Sequence, residues 1–487
     1  MKNEFLLRFL APLVSAVLAV NVISMPAAEY PGDAQSVRME AITLLNGGGW
    51  AVPENVATQF GPRGNYFYQT AAGRWYPKYG VLNTLIYLPF LWLEKIVTGR
   101  VGFDTDHTIF LNLLNLVAAA ATALYLALLA RRYSASKFVV SLYVLASIYS
   151  TFWWNYLRAQ TFETYLPLMM IAFFYHLMRA RDLAEPARGQ LLAAACSFGV
   201  LCLCKTVFVA LLPVIAFLLL FRHDSSSASA RFRGQFMAFW LPVALCLVVL
   251  LVTNWAKFDS ALNTGYTQWQ EEQQLFTSNV LPALRGYLFD RQQSIFVHFP
   301  VLIFALPAWP IFLKRNRPDA VAALLLASVL IILHAARPEW RGAAGYGPRY
   351  LLPVAPILAI PFVHCLNWLA ALSSRMTRAV SAVLLATILG WSLLLQVALN
   401  SLPFYFWNEL VAIADDPSET GASEYLHAHH LGTVDLEFLC YARGYRSRFV
   451  RGMVDRLTPA GFARLEGLKA ETNFNSYWYP RPVEGGP

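Results

Sequence analysis

The sequence has few charged residues for its length. Only 14% of its 487 residues are Asp, Glu, Lys or Arg, whereas soluble domains usually carry about 25%. The deficit is uneven, because long apolar runs alternate with short basic loops. This alternation is typical of helices that cross a hydrocarbon core about 30 Å thick. It therefore indicates an all-α polytopic membrane protein and argues against a soluble enzyme.

Cysteine is also scarce, and its positions argue against both disulfides and a metal site. Five of the six cysteines lie in apolar stretches, and only Cys440 lies in a polar region. No disulfide framework and no metal-ligand spacing appears. No Gly-Lys-Ser/Thr follows Gly47-Gly48-Gly49, so these glycines do not form a phosphate-binding loop. We therefore expect no metal and no other cofactor.

The formal net charge of +9 could indicate a nucleic-acid partner. However, the Lys and Arg residues sit between apolar runs and do not build one basic domain. Basic loops beside membrane helices instead indicate how the protein is oriented in the membrane, because such loops stay in the cytoplasm. We expect membrane lipid as a partner and no nucleic acid.

Eleven apolar stretches predict transmembrane helices, at residues 6–25, 108–130, 138–156, 160–178, 190–204, 206–221, 235–254, 294–313, 319–335, 350–370 and 379–400. Segment 6–25 could instead be a cleaved signal peptide, since small residues follow at Ala27 and Ala28. In the stretch 79–98, the uninterrupted apolar run is short and contains Pro89. If it crossed, the later basic clusters would change sides and disagree with the N-terminus, so it is predicted to be a juxtamembrane or re-entrant hairpin.

This topology predicts two regions. Residues 1–400 form a transmembrane domain whose large first outer loop, 26–107, contains juxtamembrane helices. Residues 401–487 form a small outer tail, with a helix near 459–469 because Thr458-Pro459 is typical of a helix start. For a bacterial chain, the expected location is the inner (plasma) membrane, with a cytoplasmic N-terminus and a periplasmic C-terminus.

Asp33 is the first candidate for chemistry. Val37, Ala41 and Leu45 follow it at helical spacing, and Gly47-Gly48-Gly49 ends this predicted helix. A carboxylate at a helix N-terminus can be a simple N-cap. It can equally stay ionised there and act as a general base toward an acceptor hydroxyl, and both roles are compatible.

Further polar residues are predicted on the same outer side. Glu163 and Arg158 lie at a tight outer turn, where they could simply pair with each other. Lys205 lies at the outer end of an apolar span and could snorkel to the surface. Lys78 and Arg349 could be interfacial anchors, although a guanidinium also binds phosphate oxygens well.

Three more candidates border these stretches, namely Tyr266, Arg291 and Tyr350. Taken together, one acid and several cations gather on one membrane face among aromatic-rich loops. That arrangement fits an anionic lipid-linked substrate and the deprotonation of an acceptor.

At this point the sequence resembles the membrane glycosyltransferases of the C-type fold, which include protein O-mannosyltransferases and bacterial aminoarabinose transferases. An Asp, a helix and Gly-Trp-Ala-Val-Pro (49–53) follow the first span in the family's order. Two further stretches resemble segments that recur in this family. They are Lys257-Phe258-Asp259 to Thr264-Gly265-Tyr266, and Gly347-Pro348-Arg349-Tyr350-Leu351-Leu352-Pro353. Many members have adjacent Asp-Glu in the first loop, whereas Ala34 follows Asp33 here.

The resemblance implies an inverting transfer of one sugar from a polyprenyl-phosphate donor to an unknown lipid, glycan or protein acceptor. It implies that Asp33 is the base, that Glu163 is the acid of the second loop, and that Lys78 and Arg349 bind the donor phosphate. Two alternatives remain, a lipid or sugar transporter and a non-catalytic envelope assembly subunit.

Overall fold

The computed structural model describes residues 6–26, 33–58, 66–103, 108–182, 188–220, 236–266, 278–290, 293–342, 346–400, 410, 413, 416, 418–429 and 448–472. Within these ranges the protein is almost entirely helical. The α-helices are Ala11–Ile23, Asp33–Leu45, Glu54–Ala57, Val81–Thr98, Thr108–Arg131, Lys137–Tyr149, Trp153–Arg158, Leu166–Asp182, Arg188–Cys204, Leu212–Leu220, Leu241–Phe258, Val280–Phe289, Ile295–His298, Val301–Ala305, Trp309–Arg315, Arg317–Ala335, Ala355–Leu358, Pro361–Ala371, Arg375–Asn400, Thr420–Ala428, Arg448–Val454 and Pro459–Thr472.

Shorter helical turns join several of these helices. They are π-helical at Leu6–Leu10 and Phe236–Trp240, and 3₁₀ at Phe162–Thr164, Thr206–Leu211, Leu306–Ala308 and Arg349–Leu351. Two of the predicted spans, 294–313 and 350–370, are therefore broken into short pieces. Each of these spans contains prolines, which lack the backbone N–H that a continuous helix needs.

Within the described ranges, five helices are long and apolar enough to cross a membrane: Val81–Thr98, Ile109–Arg131, Phe236–Phe258, Arg317–Ala335 and Arg375–Val397. Other predicted spans correspond to shorter apolar helices, so the number eleven stays a prediction. The stretch 79–98 contains one continuous helix, Val81–Thr98, through Pro89, so the predicted re-entrant hairpin shape is wrong. This helix is long and apolar enough to cross a membrane, and its juxtamembrane position stays a prediction.

A small sheet precedes this helix. Strands Phe67–Gln69 and Trp75–Pro77 pair antiparallel, with Tyr68 opposite Tyr76. Gly73 turns the chain between them with a φ of +75°, which glycine adopts without steric cost. The second strand ends immediately before Lys78, so the sheet sets the position of that lysine.

The helix Asp33–Leu45, called the Asp33 helix below, is fastened by a buried ion pair. Lys257 Nζ lies 2.8 Å from Glu40 Oε1, and both side chains are almost completely buried. Thr84 donates a further hydrogen bond to the same carboxylate. Glu40 therefore links the Asp33 helix to helices Val81–Thr98 and Leu241–Phe258, and these bonds help to fix where Asp33 sits.

The start of helix Val81–Thr98 is packed tightly against the end of Arg188–Cys204. A Cβ atom on Gly80 would lie 2.0 Å from the carbonyl oxygen of Leu203, which is a clash with backbone. Asn83 donates to the carbonyl of Cys204 at 2.9 Å, and Tyr165 donates to Asn83 at 2.7 Å. Only glycine allows this approach, which sets the spacing between the start of helix Val81–Thr98 and the residues around Lys205.

In the C-terminal region, the predicted helix near 459–469 is confirmed as Pro459–Thr472. Thr458 precedes it and accepts a hydrogen bond from the backbone N–H of Gly461. Glu419 accepts hydrogen bonds from both the backbone N–H and the hydroxyl of Thr458. These bonds satisfy donors at the helix start and tie it to the segment before Thr420.

We expect Gly80→Ala to lower the thermal unfolding midpoint of the detergent-purified protein by several degrees, because its methyl group meets an immobile carbonyl. Gly390→Ala is the matched control. Gly390 lies inside helix Arg375–Asn400 and nothing lies near its added Cβ, so alanine there should be neutral or stabilising. Equal midpoints for Gly80→Ala and the parent protein would contradict this packing.

We also expect Lys257→Met to destabilise the protein strongly, by about 3–5 kcal/mol, because it leaves Glu40 buried without its cation. The double variant Glu40→Met/Lys257→Met should recover much of the loss, since no unpaired charge remains. Lys137→Met, the same change at an exposed lysine, should leave the thermal midpoint unchanged. A double variant as unstable as the single one would show that the pair does not act as a unit.

Candidate active site

Asp33 lies at the N-terminal end of its helix, facing a cation from a distant part of the chain. Arg349 Nη1 is 3.6 Å from Asp33 Oδ2. About one quarter of the Asp33 side chain remains exposed, so an acceptor hydroxyl can approach it. The contact joins the Asp33 helix to the 3₁₀ turn Arg349–Leu351.

The surroundings of Asp33 favour its ionised form. Burial by itself raises the pKa of this carboxyl, but Arg349 and Lys78 act in the opposite direction, and the hydroxyl of Tyr79 donates a hydrogen bond to it. The net result is a pKa below the ordinary value of an aspartate. At neutral pH, Asp33 is therefore a carboxylate ready to accept a proton.

Lys78 is held in an aromatic cage beside Asp33. Its Nζ lies 5.2 Å from the ring centre of Tyr266, 5.6 Å from that of Tyr79 and 6.0 Å from that of Tyr66, and only 7% of the residue is exposed. Burial lowers the pKa of Lys78 to about 8, although Asp33 counteracts it. This lysine is thus a cation at neutral pH that can lose its charge in mildly basic solution.

Glu163 forms a second acid–base pair near this cluster. Lys205 Nζ lies 2.9 Å from Glu163 Oε1 and 4.6 Å from the ring centre of Phe162. Glu163 belongs to the turn Phe162–Thr164, whereas Lys205 directly precedes the turn Thr206–Leu211. Glu163 is therefore paired across the fold with Lys205.

Tyr350 connects the two pairs. The cationic groups of Arg337, Arg349 and Lys205 lie 5.2, 5.4 and 5.9 Å from its ring centre. His334 stacks on the same ring at 4.6 Å, with only 8° between the planes. The polar side chains of Glu163, Lys205, His334, Arg349 and Tyr350 line one pocket, which has apolar walls.

One of the predicted site residues is placed differently, and another lies outside the described residues. Arg158 is buried, and its guanidinium donates to the backbone carbonyls of Ser24 and Asn400, so it fastens the ends of two helices and does not line the pocket. Arg291 lies outside the described residues. The other predicted residues, Asp33, Lys78, Glu163, Lys205, Tyr266, Arg349 and Tyr350, come together in one region.

Sequence reasoning missed several members of this region, notably Tyr66, Tyr79, His334 and Arg337. His334 lies in the last turn of the apolar helix Arg317–Ala335, and Arg337 follows that helix; polar residues at the end of an apolar run are the signal that could have identified them. Among the described residues, no group of three His, Cys, Asp or Glu side chains could hold a metal ion.

No family model and no curated protein matches the sequence. The fold, however, matches solved structures. One is ArnT from Cupriavidus metallidurans, an aminoarabinose transferase bound to undecaprenyl phosphate, with 17% identity and a TM-score of 0.51, over 95% of this chain and 80% of that chain.

The oligosaccharyltransferase of Archaeoglobus fulgidus also matches. Its apo form has 10% identity and a TM-score of 0.54, over 85% of this chain and 59% of that chain. Its complex with an inhibitory peptide and a dolichol-phosphate, named AglB, has 12% identity and a TM-score of 0.52, over the same shares of the two chains. These similarities confirm the expected fold: the chain has an architecture like that of the C-type membrane glycosyltransferases ArnT and AglB.

Proposed function

We propose that the protein is an inverting glycosyltransferase that moves a single sugar from a polyprenyl-phosphate donor to a lipid, glycan or protein acceptor. The observation that carries this proposal is the placement of Asp33, an ionised and partly exposed carboxylate, between the cations Lys78 and Arg349. A base beside a phosphate-binding group is what such a transfer requires.

Asp33 is the general base in this reaction. The acceptor oxygen attacks the anomeric carbon of the donor sugar from the face opposite the phosphate, and its proton passes to the Asp33 carboxylate. A bond from the acceptor oxygen to the sugar forms while the bond from the sugar to the phosphate breaks. The phosphate leaves with the electron pair as polyprenyl phosphate, and the anomeric centre is inverted.

Lys78, Arg349 and Lys205 stabilise the negative charge that develops on the leaving phosphate. Arginine binds phosphate oxygens with two parallel hydrogen bonds, whereas lysine acts as a point charge. The aromatic rings of Tyr66, Tyr79 and Tyr266 around Lys78 keep water away from its ammonium group. Fixed cations in a dry site are more effective than the same charges in water.

The donor class is supported by the ligands of proteins with the same fold. ArnT was crystallised with undecaprenyl phosphate, and AglB was determined with a dolichol-phosphate. We propose that the site faces the periplasm of a bacterial plasma membrane, as the distribution of basic loops predicts.

We expect Asp33→Asn to abolish transfer, with a loss of about 10²- to 10⁴-fold in rate, while binding of undecaprenyl phosphate persists. Asparagine has the same shape but cannot accept the proton. The measurement is transfer of radiolabelled sugar from a panel of undecaprenyl-phosphate sugars to a host membrane extract.

Glu54→Gln is the matched control, because Glu54 is an exposed acid of the same outer loop, and it should transfer at the parent rate. If Asp33→Asn still transfers sugar, the general base is another acid, and Glu163 is the next candidate. Donor-lipid binding without transfer by the parent protein would instead favour a transporter or an assembly subunit.

The lowered pKa of Lys78 gives a second prediction. Lys78 is protonated below about pH 8 and neutral above it, so affinity for undecaprenyl phosphate should be full at pH 7. Above the pKa, the dissociation constant should rise by up to about ten-fold per pH unit. Titrations from pH 7 to 9.5 measure this effect.

Lys78→Arg is the control for this titration, because a guanidinium stays charged over the whole range. Its affinity should change little with pH, even if it is weaker throughout. An equal pH response in the parent protein and in Lys78→Arg would rule out Lys78 as the group that titrates.

A further inference from the structure

A buried tyrosine outside the site anchors the turn that presents Arg349. Tyr156, in helix Trp153–Arg158, is completely buried, so a bound substrate does not meet its hydroxyl. That hydroxyl donates a hydrogen bond of 2.8 Å to the backbone carbonyl of Tyr346. Tyr346 precedes Arg349 by only three residues, so this bond holds the backbone from which the arginine projects.

The chain between Tyr346 and Arg349 has little freedom of its own. Gly347 has a φ of +61°, and a Cβ atom on it would lie 3.0 Å from Cγ of His298, so the backbone is packed against that ring. The ring of Pro348 restricts the next φ, and the N–H of Arg349 donates to the carbonyl of Gly347 at 2.8 Å. A displacement of the Tyr346 carbonyl is therefore passed on to Arg349.

The side chain of Arg349 depends on this backbone for its position. Its Nη1 lies 3.6 Å from Asp33 Oδ2, which is too long for a hydrogen bond, and its Nε is buried without a hydrogen bond to any described residue. A guanidinium binds phosphate oxygens in a fixed, planar geometry. Its affinity for a phosphate should therefore be sensitive to small shifts of the turn.

Tyr156 also anchors the turn that carries Glu163, but through a different group. Its backbone carbonyl accepts a hydrogen bond of 2.8 Å from the hydroxyl of Thr164, the residue after Glu163 in the turn Phe162–Thr164. A change from tyrosine to phenylalanine removes the hydroxyl and keeps the carbonyl. Such a variant therefore releases the Arg349 turn and leaves the Glu163 turn attached.

We propose that Tyr156 is a positioning residue for the donor phosphate, because its hydroxyl, through the carbonyl of Tyr346, holds Arg349 where the guanidinium meets that phosphate. The inference rests on the function proposed above, in which Arg349 binds the phosphate. Tyr156 touches neither the substrate nor the reacting atoms, so its whole effect on binding passes through Arg349. A residue that only stabilised the fold would act independently of Arg349.

The test is a double-mutant cycle on the affinity of the full-length protein, in detergent, for undecaprenyl phosphate. Tyr156→Phe should raise the dissociation constant about three- to ten-fold, which corresponds to one net hydrogen bond. In the Arg349→Gln background the same change should have no further effect. In the Lys78→Gln background it should have its full effect, because the small sheet, and not Tyr156, positions Lys78.

Tyr143→Phe is the matched control. Tyr143 is equally buried, and its hydroxyl also donates to a backbone carbonyl, that of Pro356, at 3.2 Å. Pro356 belongs to the short helix Ala355–Leu358, which carries none of the residues that we assign to the site. Tyr143→Phe should lower the thermal unfolding midpoint about as much as Tyr156→Phe does, while the affinity for undecaprenyl phosphate stays unchanged.

The other outcomes overturn the inference in distinguishable ways. Equal affinities of Tyr156→Phe and the parent protein would show that the hydroxyl does not position Arg349. An undiminished loss in the Arg349→Gln background, or an equal loss in Tyr143→Phe, would reduce Tyr156 to a support of the fold. Failure of the parent protein to bind undecaprenyl phosphate would instead refute the proposed function itself.

Discussion

The pairing of Asp33 with cations is the interaction on which the rest of the site depends. A carboxylate at the edge of an apolar domain needs compensation, because burial alone raises its pKa and favours the neutral acid. Arg349 and Lys78 supply that compensation, and Tyr79 adds a hydrogen bond. The same cations are suited to a phosphate, so the charges that keep the base ionised also prepare the site for an anionic donor.

This arrangement requires backbone from three distant parts of the chain to meet. The small sheet positions Lys78, the buried pair of Glu40 and Lys257 holds the Asp33 helix, and the turn Arg349–Leu351 presents Arg349. The turn that presents Arg349 follows Pro348 and precedes Pro353, and proline lacks the backbone N–H that a continuous helix needs.

Acid–base pairs recur across the site. Lys78 and Arg349 flank Asp33, and Lys205, paired with Glu163, lies with Arg349 in the wall of the adjoining pocket. Tyr350 is shared by three cations and His334.

Local pattern alone was enough to predict the helical membrane class, the helix that begins at Asp33 and the gathering of Lys78, Lys205 and Arg349 on one side. Apolar periodicity and the distribution of basic loops are properties of neighbouring residues, so the sequence expresses them directly. The choice of partners was decided by the tertiary structure: Glu163 pairs with Lys205 and not with its neighbour Arg158, and His334 enters the pocket. Such pairs form between residues that become neighbours only when several helices pack, and spacing along the chain carries no record of that packing.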